Sequence, residues 1–244
     1  MNAPSTRVHV VTGASAGMGA ACVRALADRG DRVVAVARRA RVLDDLWGGV
    51  DGVDVVAADV GTAAGRDAVL ARVAVTTSAP LTSLIHGAAT AVDLEPWTAL
   101  DPDDLSAHFH VHVAAAVALT GALHEQPGLE RCVIFDSYSA STPRVGWSAY
   151  SILKAAAQMA FRAAADELED LAVARVYPGA VATPLVERVL DAPRSIKATA
   201  VFHELHDTGR VSTAAEIADQ LLPILDRSPA EIRAQDTWLI GHPA

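Results

Sequence analysis

The sequence predicts a doubly wound α/β domain in which helices cover both faces of a mostly parallel sheet of seven strands. Short β-branched segments alternate with longer segments of helical period along the chain, and this alternation implies parallel strands joined by right-handed crossovers. The strand segments are nearly continuous apolar runs, which is typical of strands buried on both faces. The 244 residues are enough for one large domain, and no linker-like segment divides them, so we predict a single domain over residues 1–244.

The pattern of apolar residues predicts seven strands and five long helices. The strands are predicted at Arg7–Val11, Arg32–Ala37, Val53–Ala57, Leu81–His86, Arg131–Asp136, Ala172–Tyr177 and Asp236–Ile240. The helices are predicted at Gly17–Arg29, Ala63–Val75, Asp103–His124, Ser148–Asp170 and Thr213–Asp226. Asp101-Pro102 before the third helix, and Thr213 with Glu216 in the fifth, are typical helix starts. Residues 183–210 show neither pattern clearly. Because loops after the strands line the ligand crevice of such folds, we predict a substrate lid there.

Composition and charge argue against several classes of protein. A net charge of −9 disfavours a nucleic-acid partner, since phosphate binding requires clustered cations. The apolar runs are too short and too interrupted for a membrane span, and the polar N-terminus does not resemble a signal peptide. Cys22 and Cys132 stand far apart in apolar surroundings, which favours buried free thiols over a disulfide. We therefore expect a cytoplasmic protein that binds neither nucleic acid nor a membrane.

A glycine-rich turn follows the first strand and opens the first helix. Glycines at such a turn let the backbone approach a pyrophosphate, whose charge is stabilised at the helix N-terminus. An ordinary strand–helix turn is the alternative, but the position directly after the first strand favours dinucleotide binding by a Rossmann-type fold. The predicted binding residues of this turn are Gly13, Ser15, Gly17, Met18 and Gly19.

The end of the second predicted strand indicates which dinucleotide binds. A carboxylate at this point binds the ribose 2′-hydroxyl of NAD(H), whereas arginine accommodates the 2′-phosphate of NADP(H). The chain has Arg38 and Arg39 here and no carboxylate, and the planar guanidinium suits a phosphate. The alternative is that both arginines are solvated surface charges. We predict a preference for NADP(H).

Tyr150 and Lys154 lie four residues apart and therefore on one face of the fourth predicted helix. Free tyrosine titrates near about 10, and a neighbouring ammonium favours its ionised form, which allows acid–base catalysis nearer to neutral pH. Lys154 is one of only two lysines in the chain. Ser137 ends the preceding strand, where its hydroxyl can hydrogen-bond a substrate carbonyl oxygen.

In order and spacing, these motifs resemble the single-domain branch of the short-chain dehydrogenase/reductase family. The resemblance includes the thirteen-residue separation of Ser137 and Tyr150. It implies that Tyr150 is the general acid/base, that Lys154 binds the nicotinamide ribose, and that Ser137 positions the carbonyl. The motifs, in family order, are Thr12–Gly19, Asp59-Val60, Ser137, Tyr150 with Lys154, and Pro178-Gly179-Ala180-Val181-Ala182-Thr183-Pro184.

The same resemblance implies further cofactor contacts. Asp59 and Val60 would contact the adenine, and Val181 and Thr183, after Pro178-Gly179, would meet the nicotinamide carboxamide. The small residues of His86-Gly87-Ala88-Ala89, with Ala88 among the predicted contacts, would let the backbone approach the cofactor.

The chain departs from the family pattern in two segments. His86-Gly87-Ala88-Ala89 stands where the family usually has Asn-Asn-Ala-Gly, and His112 stands where the family has a fourth catalytic residue, an asparagine. Asn2 is the only asparagine in the chain, so no other position supplies that residue. His112 either substitutes for it through its hydrogen bonds, with His86 nearby, or is a packed helix histidine.

The sequence does not predict a metal site. His108 and His112 have no third ligand placed with them, and His203-Glu204-Leu205-His206 is one residue short of a zinc-protease helix. Five side chains are candidates either for an apolar substrate pocket or for ordinary core or interface positions, namely Trp97, Tyr138, Trp147, Leu185 and Val186.

Together these features predict an NADP(H)-dependent oxidoreductase that reduces a ketone or aldehyde, reversibly, with a small-molecule substrate the sequence does not identify. Two alternatives remain: a catalytically weak NADP(H)-binding sensor or scaffold, and a nucleotide-sugar epimerase or dehydratase. The third and fourth helices are alanine-rich, and in the resembling family they pair across a dimer interface. We therefore predict a homodimer or homotetramer, unless the second apolar face of these helices is covered within the monomer.

Overall fold

The computed structural model describes residues 7–77, 80–90, 93–126, 128–191, 199–235 and 237–241. Its centre is one seven-stranded sheet in the order β3-β2-β1-β4-β5-β6-β7, in which every neighbouring pair is parallel. The strands are β1 Val8–Thr12, β2 Arg32–Ala37, β3 Val53–Ala57, β4 Ser83–His86, β5 Arg131–Phe135, β6 Ala172–Tyr177 and β7 Thr237–Leu239. The predicted doubly wound, Rossmann-type α/β fold is confirmed, and the sheet is wholly parallel rather than mostly so.

Differences in strand length are confined to the ends. Leu81, the predicted first residue of the fourth strand, makes only an isolated bridge with Leu129, and β4 begins two residues later. Asp136 follows β5 instead of ending it. Asp236, the predicted start of the last strand, lies outside the described residues.

Ten α-helices flank the sheet within the described ranges. They are α1 Gly17–Asp28, α2 Ala40–Trp47, α3 Ala63–Thr76, α4 Pro102–Phe109, α5 Ala115–Glu125, α6 Ser148–Glu167, α7 Pro184–Asp191, α8 Ala200–Asp207, α9 Ala214–Leu225 and α10 Pro229–Arg233. The sequence interpretation missed α2, whose N-cap Arg39 offers no side-chain hydrogen bond. It also missed α10, although Ser228 and Glu231 form a capping box there. The predicted helix starts at Asp101-Pro102 and at Thr213 with Glu216 are confirmed.

The third predicted helix is interrupted. A π-helical turn, His110–Ala114, joins α4 to α5, and the N–H of Ala115 donates to the carbonyl of His110 instead of that of Val111. The combined helix Pro102–Glu125 is the one helix in the described part of the chain that is long and apolar enough to cross a membrane by length and composition alone. Its buried residues Ala115 and Leu119 pack in the core beside the sheet, as those of a core helix do.

The predicted lid is largely helical. It contains α7 and α8, whereas residues 192–198 lie outside the described part. α7 follows Thr183 directly, and Val186 and Val189 are its buried residues. Three charged residues in the eight of Pro184–Asp191, namely Glu187, Arg188 and Asp191, concealed an amphipathic helix from the sequence interpretation.

Two hydrophobic layers enclose the sheet. On one face, α1 and α9 bury residues such as Leu26 and Leu221 together with Trp47. On the other face, α3, α5 and α6 bury residues such as Leu119 and Phe161. Cys22 and Cys132 are buried free thiols, as predicted. Strand order reverses between β1 and β4, and a ligand crevice forms at such a reversal, outside the carboxyl ends of the strands.

Candidate active site

The glycine-rich turn lies at the carboxyl end of β1 and can admit a phosphate. Gly13 has φ +73°, and a Cβ there would lie 2.4 Å from the carbonyl oxygen of Gly87, so only glycine fits. The N-cap of α1, Ala16, provides no side-chain cap, and the first turn of α1 holds no acidic residue. The first N–H groups of α1 thus remain available to an anion. These features fit a bound dinucleotide pyrophosphate.

Beyond this turn lies a cleft of about 430 Å³, which we term the larger cleft. Arg39 Nη2 donates to the Ser15 hydroxyl at 2.9 Å and to the Ser15 carbonyl at 3.2 Å, and Trp47 Nε1 holds the turn through the Ala14 carbonyl at 2.8 Å. The predicted residues that line the larger cleft are Gly13, Ser15, Gly17, Met18, Gly19, Arg38, Arg39, Asp59, Val60, Ala88, His112, Tyr150, Lys154 and Thr183.

The larger cleft also contains an arginine that the sequence interpretation missed. Arg188 of α7 lines it together with Arg38 and Arg39. Among the described residues, Arg38 and Arg188 have no carboxylate partner. Because α7 was not predicted, no pattern along the chain indicated that Arg188 reaches this cleft. The three cations make the cleft suitable for a polyanionic ligand.

A smaller cavity of about 120 Å³ adjoins the larger cleft. Six residues line both spaces, namely Met18, Phe135, Tyr150, Lys154, Thr183 and Leu185. Ser137, Pro178, Gly179 and Val181 line the smaller cavity and not the larger cleft, so the predicted nicotinamide contacts of Pro178, Gly179 and Val181 would require the nicotinamide end of a dinucleotide to reach into the smaller cavity. A ligand in the larger cleft and a second ligand in the smaller cavity would therefore meet at Tyr150 and Lys154.

Ser137 is oriented by two backbone contacts. Its Oγ accepts a hydrogen bond from the Ser139 N–H at 3.2 Å, so the hydroxyl hydrogen of Ser137 stays available to a ligand oxygen. Its own N–H donates to Asp136 Oδ1 at 2.7 Å. Both contacts fix the hydroxyl at the end of β5.

The Asp136 carboxylate is buried and has several donors. Besides the Ser137 N–H, it accepts from Gln158 Nε2 at 2.9 Å and from Arg175 Nη1 at 3.5 Å. Gln158 also donates to the Tyr177 hydroxyl at 2.7 Å. Burial, together with the charge of Asp136, raises the pKa of Tyr177 to about 12, so this tyrosine stays neutral. The network joins β5, α6 and β6 directly beneath Ser137.

Tyr150 and Lys154 lie on one face of α6, as predicted. Lys154 Nζ donates to the Phe135 carbonyl at 2.7 Å and lies 5.6 Å from the centroid of the Tyr150 ring. The ring of Trp147 contacts that of Tyr150 edge-on, with centroids 5.5 Å apart. Lys154 holds the ammonium close to the tyrosine and keeps two further N–H groups for a ligand.

His86 belongs to a closed hydrogen-bond network at the end of β4. Its Nε2 lies 3.1 Å from the Val111 carbonyl, the one released by the π-helical turn, and its Nδ1 lies 3.0 Å from Thr12 Oγ1. Burial lowers the pKa of His86 to about 4, so the ring is neutral. Because a carbonyl can only accept, Nε2 carries the proton and Thr12 donates to Nδ1. Thr12 Oγ1 in turn accepts the Ala88 N–H at 3.1 Å.

His112 is buried on the wall of the larger cleft. Burial, followed by the nearby positive charge of Lys154, lowers its pKa to about 3. Its Nε2 lies 3.0 Å from the Thr90 N, 3.2 Å from the Thr90 carbonyl and 3.2 Å from Thr90 Oγ1, so Thr90 offers this nitrogen both a donor and acceptors. Thr90 Oγ1 also bonds His108 Nδ1. These contacts explain why Thr90, which the sequence interpretation missed, lies in the cleft.

Of the side chains considered for an apolar pocket, Tyr138, Trp147, Leu185 and Val186 line the smaller cavity. Trp97 does not line it and is 68% exposed. Phe202 and Leu205 of α8 also line the cavity and were missed because α8 was taken for part of an irregular lid. Within the described residues, no group of three or more metal-ligating side chains occurs.

Comparison with known proteins identifies the class. The family model for the short chain dehydrogenases matches residues 7–194, and the chain therefore belongs to the short-chain dehydrogenase/reductase family of oxidoreductases. The comparison with curated protein sequences gave no significant match.

Solved structures of the same fold cover nearly the whole chain. The KRED1-Pglu enzyme is 25% identical with a TM-score of 0.82, over 91% of this chain and 96% of its own. A 3-ketoacyl-(acyl-carrier-protein) reductase from Brucella melitensis, complexed with NADH, is 22% identical with a TM-score of 0.80, over 96% of both chains. A short chain dehydrogenase from Burkholderia cenocepacia J2315, in complex with NADP, is 22% identical with a TM-score of 0.78, over 97% of this chain and 96% of its own.

Proposed function

We propose that the protein is an NADP(H)-dependent oxidoreductase that reduces a ketone or aldehyde to an alcohol, reversibly, with Tyr150 as the general acid/base. The observation that carries this proposal is the junction of the two cavities. Tyr150 and Lys154 line both spaces, and Ser137 lines the smaller one. A dinucleotide in the larger cleft and a carbonyl compound in the smaller cavity would therefore meet at the side chains that can perform acid–base chemistry.

In the proposed mechanism, Ser137 donates its free hydroxyl hydrogen to the substrate carbonyl oxygen and holds the carbonyl beside Tyr150. The nicotinamide of the bound cofactor supplies the hydride. Tyr150 donates its proton to the same oxygen, which becomes the alcohol. Lys154 binds ribose hydroxyls through its remaining N–H groups and holds its ammonium 5.6 Å from the centroid of the Tyr150 ring. Oxidation uses the same groups in reverse.

His112 is proposed as the fourth member of the site, in place of the asparagine of the family. His112 lies on the wall of the larger cleft, close enough to Lys154 for the charge of that lysine to lower its pKa. This position supports a role in holding a hydrogen-bonded path to the lysine. The packing role is the alternative, and the contacts between Thr90 and His112 Nε2 support it equally well.

The proposed preference for NADP(H) rests on the cations of the larger cleft. Arg38 and Arg39 line the cleft and Arg188 adds a third positive charge. The related structures carry NADH in one case and NADP in another, which supports a nicotinamide dinucleotide in general. We also propose a homo-oligomeric, cytoplasmic enzyme. The two buried free thiols fit a reducing compartment.

The experiment that tests the function begins with fluorescence titrations of NADPH and NADH, followed by turnover with a panel of ketones, aldehydes and diketones. We expect NADPH to bind at least tenfold more tightly than NADH, and Arg38→Ala to remove that preference, because a charge-assisted hydrogen bond contributes about 1.5–3 kcal/mol. Arg41→Ala is the matched control, since Arg41 is 95% exposed on α2.

The outcomes separate the alternatives. NADPH-selective binding with carbonyl turnover supports the proposal. NADPH binding without turnover of any carbonyl favours the sensor or scaffold, which the histidines at positions 86 and 112 motivate. Binding of a nucleotide sugar favours the epimerase or dehydratase, and failure to bind either cofactor contradicts the proposal.

A further inference from the structure

The smaller cavity contains one arginine, Arg144, that has no partner for its side chain among the described residues. Arg144 lines this cavity together with Ser137 and Tyr150 and is partly buried. Within the described residues, its guanidinium has no carboxylate and no hydrogen-bond acceptor. A partly buried charge that lacks a protein partner is costly, and an anionic ligand would offset this cost.

The other charges of the cavity do not compensate Arg144. Asp136 is the only carboxylate among the described residues that line the cavity, and its oxygens already accept from the Ser137 N–H, Gln158 and Arg175. Lys154 adds a second positive charge. The cavity is therefore cationic towards a ligand although the whole chain carries a net charge of −9, and such a local field concentrates anions.

The remaining walls are aromatic and apolar. Trp147 and Phe202 stack with ring centroids 5.1 Å apart and an interplanar angle of 17°, and the rings of Tyr138 and Tyr177 contact at 5.3 Å. At about 120 Å³, the cavity is well below the roughly 300–1,000 Å³ of pockets for drug-sized ligands. A small ligand with an apolar portion fits these walls.

We propose that the substrate is a small oxo acid, whose carboxylate binds Arg144 while its carbonyl lies between Ser137 and Tyr150. The inference rests on the proposed carbonyl reduction and specifies its substrate class. A carboxylate matches the planar fork of the guanidinium. A phosphate dianion would require the desolvation of a second charge among the apolar walls, so a carboxylate is favoured.

The test compares acids with their neutral esters. NADPH oxidation is followed with 2-oxobutanoate and 3-oxobutanoate, each against its methyl ester. We expect kcat/KM to be at least tenfold higher for one of the acids than for its ester. Arg144→Met should lower kcat/KM for that acid about 10- to 100-fold, mainly through KM, because a hydrogen bond to a charged group contributes about 1.5–3 kcal/mol. In the same variant, kcat/KM for the ester should change no more than about twofold. Arg41→Met serves as the control for the loss of a positive charge.

Failure of this inference is distinguishable from failure of the proposed function. If neutral carbonyls are reduced but Arg144→Met changes kcat/KM to the same extent for acids and for esters, the oxo-acid inference is overturned. The proposed reductase function then still stands. If no carbonyl is reduced, calorimetric titration of 2-oxobutanoate into the NADP⁺-bound protein decides separately. Binding that Arg144→Met abolishes supports the carboxylate site, whereas equal or absent binding overturns it.

Discussion

His86 lies buried at the carboxyl end of β4, where both of its ring nitrogens have partners. Asparagine at this place, usual in the family, would be too short to reach both Thr12 and the Val111 carbonyl as the imidazole does. Burial disfavours the charged ring, and protonation of Nδ1 would turn it from an acceptor into a donor, so that the Thr12 hydroxyl would have to reorient. The stability of the protein is thereby linked to pH at this residue.

We predict that acid destabilises the protein through His86. Burial lowers its pKa from 6.5 to about 4 in the folded state, so the unfolded chain takes up the proton first as the pH falls. The stabilisation by the neutral ring is complete above pH 6.5 and is lost progressively as the pH falls towards 4. By pH 5 the loss in the free energy of unfolding amounts to about 2 kcal/mol. Urea unfolding from pH 7 to pH 5 measures this loss. His112, whose pKa is lowered to about 3, adds to it.

The variant His86→Gln keeps a side-chain donor without a titrating ring. It should be less stable at pH 7, and its stability should fall by about 2 kcal/mol less than that of the wild type between pH 7 and pH 5. His206→Gln is the control, because the His206 side chain is 60% exposed. An unchanged pH dependence in His86→Gln would contradict the assignment.

Residue by residue, the sequence predicted the parts of the site that lie within motifs. Ser137, Tyr150 and Lys154 come from one strand end and the helix that follows it, so their spacing alone indicates a common site. Asp136 and Arg144 stand next to those motifs, yet their importance depends on which distant side chains do or do not pair with them. Arg175 reaches Asp136 from another strand, a contact that no spacing along the chain expresses.

At the scale of elements, α4 and α5 illustrate what periodicity cannot show. The segment Asp103–His124 reads as one helix because a π-helical turn adds a single residue and leaves the apolar pattern nearly continuous. The tertiary contact from His86 to the Val111 carbonyl compensates the interruption. The helices of the predicted lid were missed for a different reason, since short segments with many charged residues resemble loops.

The outer faces of α5 and α6 remain apolar in the monomer. Val117 is 49% exposed and Met159 62% exposed, with Ile152 at 36%. The alternative that these faces are covered within the monomer therefore does not hold for these three side chains. Exposed apolar side chains on neighbouring helices are typical of a protein interface.

We predict that these faces form the interface of a homo-oligomer. Light scattering after gel filtration should give the mass of a dimer or tetramer for the wild type. Met159→Glu should shift the mass towards the 25.4 kDa monomer, because a buried unpaired carboxylate is costly. Leu46→Glu on α2, where Leu46 is 38% exposed, is the control. A monomeric wild type, or a Met159→Glu variant with unchanged mass, would contradict the prediction.

At the scale of the whole molecule, the site is a consequence of topology. The sheet reverses its strand order between β1 and β4, which opens a crevice for the dinucleotide at the carboxyl ends of the strands. The ends of β5 and β6, with α6, α7 and α8, enclose the smaller cavity next to it. The sequence predicted the fold because alternating strands and helices determine this topology. It could not predict the charge and volume of the cavity, which depend on how α7 and α8 pack over it.

The central claim is that Tyr150 transfers the proton at the junction of the two cavities, and Tyr150→Phe tests it most directly. Single-turnover oxidation of NADPH should be measured with the best carbonyl substrate of the panel, together with NADPH affinity. We predict a fall in rate of about 10²- to 10⁴-fold, the usual contribution of a general acid, with NADPH affinity within about twofold of the wild type. A Tyr150→Phe enzyme that retains the wild-type rate would contradict the account.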